Sequence, residues 1–271
     1  MKKTLYHTAL YMGLAVLAMV FLLPVLWMVA TSLKNPVDDT SLALPSKPVW
    51  GNYAEAWRTG GFSAAFFNTM FIGIGAVVIS ILAGLPMAYS FARYRVRGRG
   101  ALSGSLFALR ILPEMVFLLP LYAMYRKLGL FDTKIGMILA FQIITLPYCV
   151  WLLRSFILQV PVDLEEAARV DGCSEWLVLW RVTLPVIAPG VVASSVLSFI
   201  AVWTSLLFPL ALSYSQSQTV SVTIANFKGY GTFNWPIMAA ASVIATIPQI
   251  LFFGLINRYL VAGLTMGGVK E

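Results

Sequence analysis

The sequence predicts an all-α, polytopic membrane protein with six transmembrane helices. Three observations predict it. Hydrophobic residues make up 59% of the 271 residues and charged ones 11%, against about 25% charged in an ordinary soluble domain. Long apolar runs recur along the chain, each near the ~20 residues a helix needs to cross ~30 Å of hydrocarbon. The Lys and Arg residues lie mostly in short segments between those runs, with no basic patch interleaved with base-stacking aromatics. The net charge of +8 therefore reads as membrane topology and not as nucleic-acid binding.

The spans fall at roughly 10–30, 64–92, 102–125, 135–157, 190–212 and 236–256, all within one transmembrane domain covering 1–271. Lys2 and Lys3 give the first run the basic start of a signal peptide. Its apolar stretch exceeds the usual ~7–15 residues, and no A-x-A site follows it, so it reads as a retained span. The second run ends in "RYRVRGRG" (93–100), whose four arginines set the orientation most strongly. Both termini are then cytoplasmic. The third run contains Arg110 and Glu114, and charges at membrane depth are functional candidates by default. At i, i+4 spacing they also read as a self-neutralising structural pair. Pro86, Pro113, Pro120, Pro147, Pro209 and Pro248 lie inside or at the edges of spans, where proline kinks a helix by removing a donor.

Between the fourth and fifth spans, a cytoplasmic loop at 161–189 breaks the apolar pattern. It holds Asp163, Glu165, Glu166, Asp171 and Glu175, almost half of the 11 carboxylates. Asp163 stands at a predicted N-cap with Glu166 three residues on, a capping-box spacing. Glu165 and Arg169 are four apart and predict a surface ion pair. Gly172 predicts the end of this short helix, and Ser174 the cap of a second one carrying the stripe Trp176, Leu177, Trp180 and Leu184. Pro185 and Pro189 break the chain before the fifth span. Acid clusters suit a negatively charged inner leaflet poorly, so the loop predicts docking to a cytoplasmic protein.

The pattern Glu166-Ala167-Ala168, three residues, Gly172, nine residues, Val182, one residue, Leu184-Pro185 resembles the EAA loop of ABC-importer permeases. Val182 replaces the usual isoleucine. "ILPEMVFLLPLY" (111–122), "LGLFDTKIGMIL" (128–139), "LPYCVWLLRSF" (146–156) and the tail "RYLVAGLTMGGVK" (258–270) extend the resemblance along the chain to the carbohydrate, maltose/trehalose-type branch. The fifth span reads "WTSLLF" (203–208) where that branch often has W-N-E-F, so a role for that Asn and Glu does not carry over.

The resemblance implies a type I ABC-importer permease fold in a prokaryotic cytoplasmic (inner) membrane. It implies a second permease subunit, usually a different one; two ATPase subunits; and an extracytoplasmic sugar-binding protein, with alternating access between inward-open and outward-open states. It places Glu166, Ala167, Ala168, Asp171, Gly172, Leu184 and Pro185 at the ATPase contact. Gly263, Thr265, Gly267 and Lys270 of the cytoplasmic tail (257–271) would lie near the ATPase dimer. Gly229, Tyr230 and Gly231 of an outer loop would face the binding protein. ATP and Mg would be bound by the partner ATPase. The chain itself has no G-x-x-x-x-G-K-[ST] phosphate loop and implies no cofactor of its own.

Sugars stack on aromatics and hydrogen-bond to polar neighbours, which makes Phe141, Tyr148, Trp151 and Trp203 pathway candidates beside Arg110 and Glu114. The opposing reading of each aromatic is packing or an interfacial belt. Among rival functions, an importer of another solute such as glycerol 3-phosphate calls for more cations in the pathway than Arg110. An integral membrane enzyme would need a catalytic set, yet His7 is the only histidine and Cys149 and Cys173 lack metal-ligand spacing. A standalone carrier would not need the EAA loop.

Overall fold

The computed structural model describes residues 2–35, 44–45, 47–95, 97–227 and 234–266; for 2–5, 9 and 255–266 it describes the backbone alone. Among these the secondary structure is entirely helical. Four helical runs are long and apolar enough to span a bilayer: Tyr6–Ser32, Gly51–Arg93, Lys134–Ile157 and Trp235–Gly254. Two further pairs, Arg99–Ile111 with Met115–Leu128 and Glu175–Val186 with Ala188–Thr204, are bent by 101° and 80°, and they raise the number to six if each pair is one span.

The chain forms two compact units. The first comprises Met1–Ser63 and Thr223–Ile247. Its helix α1 (Lys2–Ser32) exposes apolar side chains along most of its length, from Tyr6 to Val29. Such a surface suits lipid or another apolar helix. Its end is fastened: Asn52 Nδ2 on α2 (Gly51–Arg58) donates to Ser32 O and Lys34 O, both at 2.8 Å. Ser32 Oγ lies 2.7 Å from Tyr53 Oη. Phe62 packs on Trp57 and Phe227.

The second unit comprises Ala64–Val222 and Pro248–Glu271. It contains most of α3 (Phe62–Arg93), then α4 (Arg99–Ile111), α5 (Met115–Leu128) and α6 (Lys134–Ile157). The loop helices α7 (Val162–Val170), α8 (Glu175–Val178) and α9 (Leu184–Val186) follow. A π-helical turn, Leu179–Thr183, joins the last two. Then come α10 (Ala188–Thr204), α11 (Leu207–Leu212), α12 (Val220–Ala225) and α13 (Trp235–Met266); α12 from Thr223 onward and α13 as far as Ile247 belong to the first unit.

Lipid tails are as apolar as leucine, so helices in a bilayer associate through close packing and small residues. A Cβ on Gly73 would come within 2.8 Å of the Phe199 ring, and one on Gly75 within 2.6 Å of Ile138 Cδ1. Gly190 likewise lets α10 lie against Phe156. Between α3 and α6, three polar side chains satisfy one another. Ser80 Oγ is 2.8 Å from Gln142 Oε1 and 2.6 Å from Thr145 Oγ1, and Gln142 Nε2 donates to Ile138 O and Ala76 O.

Two expected spans differ from single straight helices. The third breaks at Leu112-Pro113-Glu114, because proline denies the helix a donor and disfavours helical geometry at Leu112 (φ −66°, ψ 134°). The fifth ends at Thr204 and resumes at Leu207. The last helix runs on to Met266, past the expected boundary of the tail.

Candidate functional site

The loop after α6 is built on its first carboxylate. Helix α7 starts after Pro161, and no side chain caps it. Asp163 therefore stands in the first turn, favoured there by the helix dipole, and the expected capping box does not form. This register turns Glu165 inward. It is fully buried and held bidentately by Arg93, Nε to Oε2 at 2.8 Å and Nη2 to Oε1 at 3.1 Å. Thr183 Oγ1 donates to Oε1 at 2.9 Å and Tyr89 Oη to Oε2 at 3.2 Å. Arg93 Nη2 also donates to Val160 O at 2.8 Å. One buried carboxylate thus ties α7 to the end of α3 and to the π-helical turn, and its charge is compensated as a buried ion requires.

The ion pair expected between Glu165 and Arg169 forms, but with Glu165 buried and not at the surface. Arg169 lies 3.7 Å from Glu165 but spends its short bonds on Glu175, at 2.8 and 3.2 Å. Those bonds hold the Glu175 carboxyl below its usual range.

Gly172 closes α7 at φ 86°. Cys173 N–H donates to Ala168 O and Gly172 N–H to Arg169 O, both at 3.0 Å. This paired closure needs a left-handed residue, which glycine adopts without a Cβ penalty. Ser174 Oγ accepts from Leu177 N–H at 3.4 Å and caps the next helix. Glu166, Ala167, Asp171, Gly172 and Pro185 are exposed, whereas Ala168 and Leu184 are half-buried. Glu166 makes no hydrogen bond or ion pair among the described residues. Val170 and Trp176 are 87% and 61% exposed, so the outward side of the loop mixes carboxylates with bare apolar groups.

A second feature lies at the α4–α5 break, which opens a cavity of about 250 Å³. Arg110, Glu114, Tyr148, Thr145 and Ser198 contribute its polar lining. Irregular backbone is tolerated in a bilayer where it lines such a space. The Arg110 guanidinium sits 4.7 Å over the Tyr148 ring. It makes no ion pair with Glu114, since the 101° bend removes the helical spacing that would bring the two together. Ser198 Oγ is buried without a hydrogen-bond partner among the described residues.

A family model described as the binding-protein-dependent transport system inner membrane component matches residues 76–266. The chain belongs to this family. It is 38% identical over 92% of each chain to the trehalose transport system permease protein SugB of Mycobacterium tuberculosis (strain CDC 1551 / Oshkosh). It is 31% identical to the diacetylchitobiose uptake system permease protein DasC of Streptomyces coelicolor (strain ATCC BAA-471 / A3(2) / M145), over 91% of each chain. Its fold matches a chain of a bacterial ABC transporter involved in import of the acidic polysaccharide alginate. That match has a TM-score of 0.80 at 20% identity and covers 95% of this chain and 97% of the other. The permease is thus a transport subunit of the membrane with the type I ABC-importer permease fold.

Of this permease's pathway candidates, Arg110, Glu114 and Tyr148 meet at one cavity. Phe141 and Trp203 do not line it. Phe141 is wholly buried against Phe208, and Trp203 packs between Phe66 and Phe199. Trp151 lines a different cavity. Gly263 and Thr265 lie on α13, whereas Gly267, Lys270, Gly229, Tyr230 and Gly231 fall outside the described residues.

Sequence reasoning missed Ser198, the Arg93–Glu165 grip and Asp132. The Asp132 carboxylate accepts from the backbone N–H groups of Tyr214, Ser215, Gln216 and Ser217 at 3.0–3.1 Å. It also accepts from the hydroxyls of Ser215 and Ser217. Partial burial raises its pKa, but the four backbone donors outweigh that and hold it well below the usual carboxylate range. Asn68 Nδ2 donates to Gln216 O and Gln218 O, and Val220 N–H donates to Thr69 Oγ1, so the same strap is pinned from α3. The turn sequence "LFDT" (130–133) was the available signal; the four donors sit more than 80 residues away.

Proposed function

We propose that this chain forms half of the translocation pathway of an ATP-driven, binding-protein-dependent importer of a disaccharide or oligosaccharide. The observation that carries the proposal is the loop at 161–189. One glutamate fastens it internally while its neighbour, Glu166, is presented outward with no partner among the described residues. One of two ATPase subunits, which bind ATP and Mg, docks there. A second permease, different from this one, completes the pathway, and a sugar-binding protein delivers the solute from outside. All six spans cross the cytoplasmic membrane of a prokaryote, with both termini inside. The trehalose and diacetylchitobiose permeases among the relatives support the sugar class. So does the cavity, which offers an aromatic face, an orphan hydroxyl and one cation accompanied by one carboxylate. That lining suits a neutral polyol better than an anion such as glycerol 3-phosphate.

The test is ATP hydrolysis by the permease co-purified with its encoded neighbours, with and without loaded binding protein. Glu166→Ala and Gly172→Asp are expected to insert and fold, yet to shed the ATPase subunits or lose stimulation. Normal assembly and normal stimulation in both variants would sink the docking role.

A further inference from the structure

We infer that this permease holds the phosphate of an anionic phospholipid in a basic cavity where α3, α4 and α6 converge. The cavity, about 250 Å³, is lined by Phe91, Arg99, Ser103, Val150, Trp151 and Arg154. It far exceeds the roughly 10–15 Å³ that one water needs. Arg99 opens α4, Arg154 lies in the last turn of α6, and Phe91 is near the end of α3. This is the end of the second unit to which Arg93 fastens the loop helices.

Among the described residues, no acidic group compensates the charges in this cavity. No carboxylate pairs with Arg99 or Arg154 among the described residues. Arg154 makes one long bond, from Nε to Phe91 O at 3.4 Å. Two half-buried guanidinium groups facing one cavity repel each other, and an anion between them relieves that repulsion. Guanidinium groups suit phosphate especially, because they can donate two parallel hydrogen bonds to its oxygens. Ser103 adds a hydroxyl to the same wall.

The remaining wall favours a lipid over a free phosphate. Trp151 is 38% exposed and lines the cavity, and its ring lies 5.6 Å from that of Phe107, itself 48% exposed on α4. A headgroup phosphate in the cavity would therefore have an apolar surface beside it on which an acyl chain can lie. On the proposed topology this end meets the inner leaflet, whose surface is negative, and basic pockets between spans at that depth recruit anionic headgroups.

The experiment is native mass spectrometry of the detergent-purified transporter titrated with phosphatidylglycerol, with phosphatidylcholine and inorganic phosphate as comparison probes. Wild type is expected to retain a phosphatidylglycerol that Arg99→Gln weakens about 5-fold and Arg99→Gln/Arg154→Gln about 30-fold, as ~1 kcal/mol per arginine implies. Arg95→Gln/Arg97→Gln removes the same charge from exposed positions and is expected to leave that lipid bound. Equal weakening by both pairs overturns the site in favour of general surface potential. Equal retention of phosphatidylcholine overturns the anionic requirement, and displacement by inorganic phosphate at comparable concentration overturns the lipid assignment. If the double variant fails to assemble, Arg99→Gln decides alone, since Arg99 has no partner among the described residues. The lipid count does not depend on sidedness, so a wrong topology would appear in the labelling experiment below and not here.

Discussion

Glu165 and Glu166 are chain neighbours with the same side chain, and the register of α7 sends them to opposite environments. Removing the charge of Glu165 strands the Arg93 guanidinium, whose side chain is 9% exposed. Breaking a buried pair from one side costs about 3–5 kcal/mol, whereas replacing both partners with apolar residues is often neutral. Glu165→Gln is therefore expected to lower thermal stability sharply in detergent, and Arg93→Met/Glu165→Met to recover most of it. If the double variant is as unstable as the single one, the grip is not the source of the stability. Glu166→Ala, by contrast, is expected to stay within about 0.5 kcal/mol of wild type, as exposed substitutions do. Its effect belongs to ATPase stimulation. Ser198 is a third case. Its buried hydroxyl has no partner among the described residues, so Ser198→Ala removes an uncompensated desolvation cost and is expected to leave stability unchanged or raise it by about 1 kcal/mol. Sugar uptake in proteoliposomes is expected to weaken all the same. Unaltered uptake would remove the cavity from the pathway.

Among the elements, the breaks carry the most information. Pro113 turns the third run into two helices and opens the cavity at the bend, while the π-helical turn at Leu179–Thr183 brings Thr183 onto Glu165. The strap at 213–220 is held by Asp132, Asn68 and Thr69, which join three separate segments. Asp132 has its pKa lowered in the fold. The stabilisation is then fully present above the unfolded value of ~3.9 and is lost as pH falls below it toward the folded pKa. Asp132→Asn is expected to cost on the order of 2 kcal/mol at neutral pH. The gap in melting temperature between wild type and variant should hold from pH 7 to about 5 and close only below about 4. A gap that already narrows between pH 7 and 6 would contradict the ionised, four-donor arrangement. The break at Pro113 was legible, because proline acts locally, whereas Pro86, Pro120, Pro147 and Pro248 lie inside unbroken helices. The donors of Asp132 were not legible, because no local rule links residue 132 to residues 214–217.

For the whole molecule, sidedness is the property to test. Cys149 is buried and Cys173 is partly exposed on the loop, so a membrane-impermeant maleimide has one accessible native target. Expressed without the ATPase, the permease is expected to label in inside-out vesicles and to resist in right-side-out vesicles. The reverse pattern would invert the proposed topology and place the basic cavity at the outer leaflet.

The sequence by itself determined the class, the positions of the apolar runs, the break at Pro113 and the loop motif. Each follows from composition or short-range spacing: bilayer thickness sets run length, proline disrupts its own turn, and Gly172 supplies its own backbone freedom. Tertiary structure alone decided which of two adjacent glutamates is buried, which aromatics face the cavity, and that Arg110 and Glu114 do not pair. It also decided that arginines legible only as a topology signal serve as an internal clamp at Arg93 and as a cavity wall at Arg99. These outcomes depend on how helices distant in sequence are rotated against one another. Between lipid-immersed helices that rotation is set by close packing at residues such as Gly73, Gly75 and Gly190, and it cannot be read from an apolar face when almost every face is apolar.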